Sequence, residues 1–168
     1  MRKTGEFHCS NENVNQLQSN ISWSLRDNIF DIPSDCPQRD ERLGWMGDAQ
    51  VFSWTAAFNR ETALFFTKWM RDVSAASSLE RGVPHIVPDI QETYSSAAWS
   101  DAAVIIPWVV YQTYGDTRIL EESWKCMHEW VDYIHNHVNE NGLWMTNYQY
   151  GDWLALDREM GDKSVGAT

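Results

Sequence analysis

Between Asp35 and Asp48 the chain places four carboxylates (Asp35, Asp40, Glu41 and Asp48), two arginines (Arg39 and Arg42) and Trp45 within fourteen residues, interrupted by Pro37, Gly44 and Gly47. That much charge is unsuited to a buried element, and a purely solvated charge run would not carry a tryptophan and two glycines. The mixture suits a loop that lines a polar pocket, with acids for proton transfer or hydroxyl binding, arginines to hold them and an aromatic floor. Sugar chemistry needs these groups: hydrolysis of a glycosidic bond uses two carboxyl groups flanking it, one of them a proton donor. A carboxyl group crowded by like charges ionises less readily, which suits it to that task. The plainer alternative is a solvated turn in which Asp40 or Asp48 caps a helix. It explains any one of the acids more easily than all four together.

The chain has ten tryptophans. Trp54, Trp69, Trp124 and Trp130 fall at helical spacing and are expected in the core. Trp45, Trp99 and Trp153 lie beside acidic residues in or near loops, where a flat apolar ring can cover the C–H face of a sugar. Asp101 and Asp152 serve equally well as helix N-terminal caps or as site residues. His135 and His137, two apart on a helix, do not face one another, so no metal site is read there. His85, between Pro84 and Pro88, is either structural or a support to the site. Cys9, Cys36 and Cys126 are odd in number and show no CxxC spacing, which gives neither a disulfide framework nor a zinc signature. With no Gly-rich phosphate loop and no Ser/His/Asp or Cys/His pattern, no cofactor or metal is expected.

Helices dominate the elements that must position these residues. A first helix is expected from Asn11 to about Ile29, capped by Ser10, with Val14, Leu17, Ile21 and Leu25 at three- and four-residue steps. A second starts near Asp48 and carries Val51, Phe52, Trp54, Thr55 and Phe58, a broad apolar face suited to an inner helix. A third runs from about Glu61 to Ser77 with Leu64, Phe65, Trp69 and Val73 on one stripe. Pro84 and Pro88 make 82–89 an ordered loop. The fourth spans about Ser100 to Tyr114 and ends at Gly115. Asp116 caps the fifth, where Leu120, Trp124, Met127, Val131, Ile134 and Val138 keep a 3.6-residue period until Asn141 and Gly142. The aromatic stretch Leu143 to Tyr150 is a strand or loop, followed by a helical turn from about Asp152. Short connections alternate with long loops (31–47, 79–98 and 139–151), as in αα-hairpins whose long loops gather on one face.

Composition narrows the partners. The 168 residues, 43% of them apolar, suffice for one globular domain. A net charge of −11 disfavours nucleic acid and anionic membrane surfaces but is compatible with a neutral substrate. No run of about 18 apolar residues exists to span a membrane. Residues 1–20 lack the apolar centre of a signal peptide, which together with the unpaired cysteines favours a cytoplasmic location.

The stretch from Asp35 to Trp45, followed by Gly47 to Gln50, resembles the signature loop of bacterial α-L-rhamnosidases of glycoside hydrolase family 78. Further segments are similar in the same order: Phe7 to Ser10, Lys68-Trp69, Val83-Pro84, Trp99 to Ala103, Pro107-Trp108, Tyr114 to Asp116 and Gly151 to Leu154. Met46 stands where threonine is common in the family and Ser100 where glycine is common. The resemblance implies an all-α fold, an (α/α)6 barrel built from αα-hairpins, and release of terminal L-rhamnose from rhamnose-containing glycosides with inversion. It implies Glu41 as the general acid. Asp35, Arg39, Trp45 and Asp48 would line the rhamnose subsite, joined by Trp99 and Trp153. Asp35 and Asp48 would accept from sugar hydroxyls, Arg39 would donate, and Trp45 would cover the apolar face with its 6-methyl group.

Twelve helices at about 1.5 Å per residue, with loops, need well over roughly 300 residues, so residues 1–168 are expected to be the N-terminal part of a single, incomplete catalytic domain. The family's general base, a second glutamate, would lie in the other half; Glu92, Glu140 and Glu159 do not match its motif. Self-association through exposed barrel edges is expected of such a part. Two other readings stand beside this one: a sugar-binding or scaffold fragment without catalysis, and an (α/α)6 enzyme acting on another sugar.

Overall fold

The hydrophobic periodicity becomes five α-helices in the computed structural model, which describes residues 1–154 and 156. They are α1 (Glu12–Asn28), α2 (Met46–Asn59), α3 (Ala63–Ala76), α4 (Ala102–Tyr114) and α5 (Arg118–His137). Among the described residues there is no strand, only isolated bridges, and the protein is all-α. Residues 60–62 join α2 to α3, and 115–117 join α4 to α5. α4 packs against α2, α3 and α5, and α3 also packs against α5. The helical turn expected from about Asp152 runs beyond the described residues, and Glu159 and 161–168 lie outside them.

Side-chain size decides which faces turn inward. α4 is apolar on all sides and buries Ala102, Ala103, Ile106, Pro107, Val109 and Val110, as the most enclosed helix should. Facing it, α2 buries Met46, Gly47, Ala49, Ser53, Ala56 and Ala57. Its small residues let the two backbones approach. The large apolar residues expected to make α2 an inner face point the other way: Val51 is 79% exposed, Phe58 71% and Trp54 41%. α5 is rotated by one position from the expected stripe. Ile119, Ser123, Cys126, Trp130 and Tyr133 are buried, whereas Val131 and Trp124 are exposed, the latter by 63%. Trp130 fixes that rotation, donating its indole N–H to Asp101 Oδ1 at 2.9 Å and stacking on Tyr133. Trp69 and Trp130 are therefore core, as expected, and Trp54 and Trp124 are not. α3 buries Phe66, Trp69, Met70 and Val73 and leaves Leu64 outside.

Helix ends follow local chemistry. Asn11, not Ser10, caps α1, its side-chain oxygen accepting from the amides of Asn13 and Val14. Of the expected α1 stripe only Leu25 is fully buried, and Leu17 is exposed. α4 ends at Gly115 in the left-handed region (φ 68°), the conformation glycine adopts without strain. The α5 amide of Arg118 donates to the Asp116 carboxylate at 3.0 Å, so Asp116 does help close that end, although Thr117 occupies the cap position.

The long loops meet. Val83, His85, Ile86 and Val87 are buried, and their segment pairs with the start of α2. Val87 N–H donates to Gly44 C=O at 2.9 Å, and Met46 N–H donates to His85 C=O at 2.8 Å. Trp69 adds its indole N–H to Val87 C=O at 3.2 Å. Gly44 makes this pairing possible, because a Cβ there would collide with the Val87 carbonyl oxygen. Backbone cannot yield as a flexible side chain does. Gly44→Ala is therefore expected to lower stability by roughly 1–3 kcal/mol, read as a fall in thermal midpoint, while Gly142→Ala, with open space around it but φ +77°, should cost less than Gly44→Ala.

Candidate active site

The 35–48 loop closes on itself before it enters α2. Asp35 N–H donates to Leu43 C=O at 3.1 Å, and Leu43 N–H returns to Asp35 Oδ1 at 2.8 Å. This pinches the intervening residues into a tip on which Glu41 sits, its amide donating to the Arg39 carbonyl at 2.9 Å. Both Glu41 carboxylate oxygens are engaged. Arg39 Nη2 lies 2.8 Å from Oε2, and Trp45 donates its indole N–H to Oε1 at 2.9 Å. Arg39, the hydroxyl donor that the resemblance implies, is paired here with the glutamate, as expected of arginines that hold the acids. Arg42 reaches Asp40 at 3.5 Å and the Pro37 carbonyl at 3.3 Å, outside this group.

Asp35 and Asp48 differ in environment. Burial pushes the Asp35 carboxyl up, but hydrogen bonds with the Cys36 thiol, Glu41 and the amides of Leu43 and Cys36 outweigh it and hold the group below the ordinary value of 3.8. Asp48 lies in the first turn of α2. Desolvation first, then the negative charges of Asp35 and Glu41, push its carboxyl above 3.8, although the residue as a whole is exposed. The donor atoms of Asp35, Cys36 and Glu41 lie within 4.8 Å of one another, the one such set among the described residues. The hydrogen bond to Asp35 raises the Cys36 thiol above its usual range, which keeps the sulfur a protonated donor to that carboxylate.

A cavity of about 480 Å³ opens beside this group. Its lining includes Asp35, Asp48, Gly47 and Trp99 together with the apolar Leu25, Ile29, Val51 and Phe52. Gly47 leaves room for the Trp99 ring, since a Cβ there would come within 2.9 Å of it. Three of the expected residues, Asp35, Asp48 and Trp99, thus share one cavity. Arg39, Glu41 and Trp45 form the hydrogen-bonded group next to it, and the half-exposed Trp153 joins through Tyr150, whose ring stands perpendicular to it at 5.4 Å.

Tyr150 is the residue that sequence reasoning missed. It stacks on Trp99 at 4.3 Å, meets the edge of Trp45 at 6.0 Å and bonds His85 Nδ1 through its hydroxyl at 3.0 Å. The aromatic density of 148–153 was the available signal. Asp101 lies outside the cavity; it accepts from Ala98 N–H at 2.7 Å and from Trp130, and so braces the turn that presents Trp99.

Residues 2–167 match the bacterial α-L-rhamnosidase six-hairpin glycosidase domain, and the chain belongs to that family. An α-L-rhamnosidase of Formosa agariphila is 44% identical over 161 residues, covering 95% of this chain and 17% of that protein. One from Streptomyces avermitilis is 40% identical over 98% of this chain and 16% of its own length. The crystal structure of Streptomyces avermitilis α-L-rhamnosidase complexed with L-rhamnose superposes with a TM-score of 0.90, at 37% identity, over 98% of this chain and 16% of that one. The native enzyme structure from Aspergillus terreus gives 0.89 at 39% identity, over 99% of this chain and 21% of that one. The chain spans about one-sixth of the curated relatives it matches.

The two aspartates give opposite linkage. A folded-state pKa below the unfolded one stabilises the native protein above pH 3.8 and loses that contribution as pH falls through the folded value; a raised pKa costs stability at neutral pH, and the cost vanishes below 3.8. At pH 7, Asp35→Asn should lower the thermal midpoint and Asp48→Asn should raise it. Calorimetric scans repeated at progressively lower pH should show both differences shrinking.

Proposed function

We propose that residues 1–168 are the acid-bearing part of a single, incomplete catalytic domain of an inverting glycoside hydrolase that removes terminal α-L-rhamnose from rhamnose-containing glycosides. The observation that carries this reading is Glu41, gripped by Trp45 and Arg39 beside Asp35, which itself lines a cavity together with Trp99 and Asp48. In this reading Glu41 is the general acid. Asp35 and Asp48 accept from sugar hydroxyls, and Trp45, Trp99 and Trp153 supply apolar faces. Arg39 exchanges its bond to Glu41 for one to a hydroxyl when sugar enters; without that cation the carboxylate takes up a proton from solvent, which it then gives to the leaving oxygen.

Inversion needs a base about 6.5–9.5 Å from the acid, leaving room for water. Asp35, with an oxygen within 4.8 Å of Glu41, is too near. In this reading the base is the second glutamate that the family resemblance implies, outside residues 1–168. That closeness favours a second reading for the chain by itself, in which it binds sugar without turning it over.

Within a full-length enzyme containing this segment, Glu41→Gln should cut turnover of a substrate with a poor leaving group about 100- to 10,000-fold and spare L-rhamnose binding. Unchanged turnover would sink the assignment, and the anomer seen first by NMR tests inversion separately. The 168-residue chain should bind L-rhamnose in a calorimeter without hydrolysing a rhamnoside.

The outward side of α2, with Val51, Trp54 and Phe58, is the surface through which the chain alone self-associates in this reading. Sedimentation velocity should show concentration-dependent association that Val51→Lys with Phe58→Lys suppresses.

A further inference from the structure

Tyr150 is ringed by five aromatic neighbours, and none of the roles assigned above uses its hydroxyl. Trp99 is stacked on it at 4.3 Å, and His85, Tyr148, Trp153 and Trp45 approach at 4.9, 5.0, 5.4 and 6.0 Å with steep interplanar angles. Its hydroxyl lies 3.0 Å from His85 Nδ1, a contact spanning 65 residues of sequence. His85 is 4% exposed and is fixed through its backbone: its carbonyl accepts the Met46 amide at 2.8 Å, and its amide donates to Tyr94 C=O at 3.2 Å. The imidazole is thus tied to the first residue of α2, next to Trp45.

We infer that Tyr150 is a positioning residue for the sugar site, latched through its hydroxyl to His85 so that its ring sets Trp99 and Trp153 as stacking faces and holds Trp45 where its indole grips Glu41. This rests on the reading of those residues as the rhamnose subsite. The latch has a partner: Gln149 is buried, and its Oε1 accepts Ala97 N–H at 2.9 Å, two residues before Trp99. Adjacent residues therefore pin the 148–153 segment to both neighbouring loops. Burial, then the nearby Tyr148, push the Tyr150 phenol up to about 12, so the hydroxyl keeps its proton over the working pH range. Burial also lowers the His85 pKa, against smaller opposing effects of the Ser95 backbone and Asp89. A neutral imidazole can offer Nδ1 as the acceptor.

The test uses the 168-residue chain, with the Trp45 indole ¹H–¹⁵N resonance assigned by Trp45→Phe and L-rhamnose binding followed by calorimetry. Tyr150→Phe keeps the ring and removes the latch. It should shift the Trp45 indole resonance towards the position of an indole without a carboxylate partner and weaken L-rhamnose about fivefold, the loss of one net hydrogen bond. His85→Leu should do the same, His85→Gln, which retains an acceptor, should restore both readouts, and Tyr150→Phe with His85→Leu should be no worse than either alone. An unmoved Trp45 resonance in Tyr150→Phe and His85→Leu overturns the latch, even if their melting temperatures fall. So does unchanged affinity in a chain that binds L-rhamnose. Should the wild-type chain fail to bind the sugar while Tyr150→Phe still moves the Trp45 resonance, the coupling to Glu41 stands and the rhamnose reading fails.

Discussion

Everything at the loop end of the molecule depends on the short backbone pairing between residues 44–46 and 85–87. Two hydrogen bonds, Val87 to Gly44 and Met46 to His85, join an acidic loop to a buried one. A charged loop has little apolar surface of its own and cannot bear the entropy of ordering by burial alone. Here it borrows order from the 83–87 segment, which is anchored beneath by the Trp69 indole on the Val87 carbonyl and by the Ser100 hydroxyl on Val83 at 2.7 Å. α2 then starts where the pairing ends. Its first amide is satisfied by His85 rather than by a side-chain cap, which fixes Trp45, Gly47 and Asp48 relative to the helices.

The charge arrangement follows from that frame. Asp35 is held ionised by donors from its own loop, Glu41 is matched to Arg39 and an indole, and Asp48 projects from the first turn of α2 with less compensation. Three carboxylates within one short segment repel each other unless each has its own donors, and the opposite pKa directions of Asp35 and Asp48 record how unequally those donors are shared.

The helices and their order were legible in the sequence because a 3.6-residue period survives any tertiary context, and Gly115 marked its helix end for the same local reason. The faces were less legible. In α2 both the small residues and the large apolar ones recur at helical spacing, and only the close approach to α4 decides that Ala49, Ser53 and Ala56 go inside. In α5 the period was right and the phase was wrong by one residue, because the rotation is set by Trp130 reaching Asp101, 29 residues away. The 35–48 loop announced itself through residue types, and the structure brings Asp35, Asp48 and Trp99 to one cavity. That arginines would hold the acids was readable from residue types, but Tyr150 facing His85 could not be read in advance. Spacing along the chain says nothing about which loops will touch.

The cavity connects two properties that would otherwise be separate. Val51 and Phe52 form part of its wall together with Asp35, Asp48 and Trp99, and Val51 is also among the most exposed apolar residues of α2. The apolar side of α2 and the acidic loop therefore share one hollow: Val51 and Phe52 line the same cavity as the carboxyl groups of Asp35 and Asp48, and charge–charge terms there strengthen as the local dielectric falls.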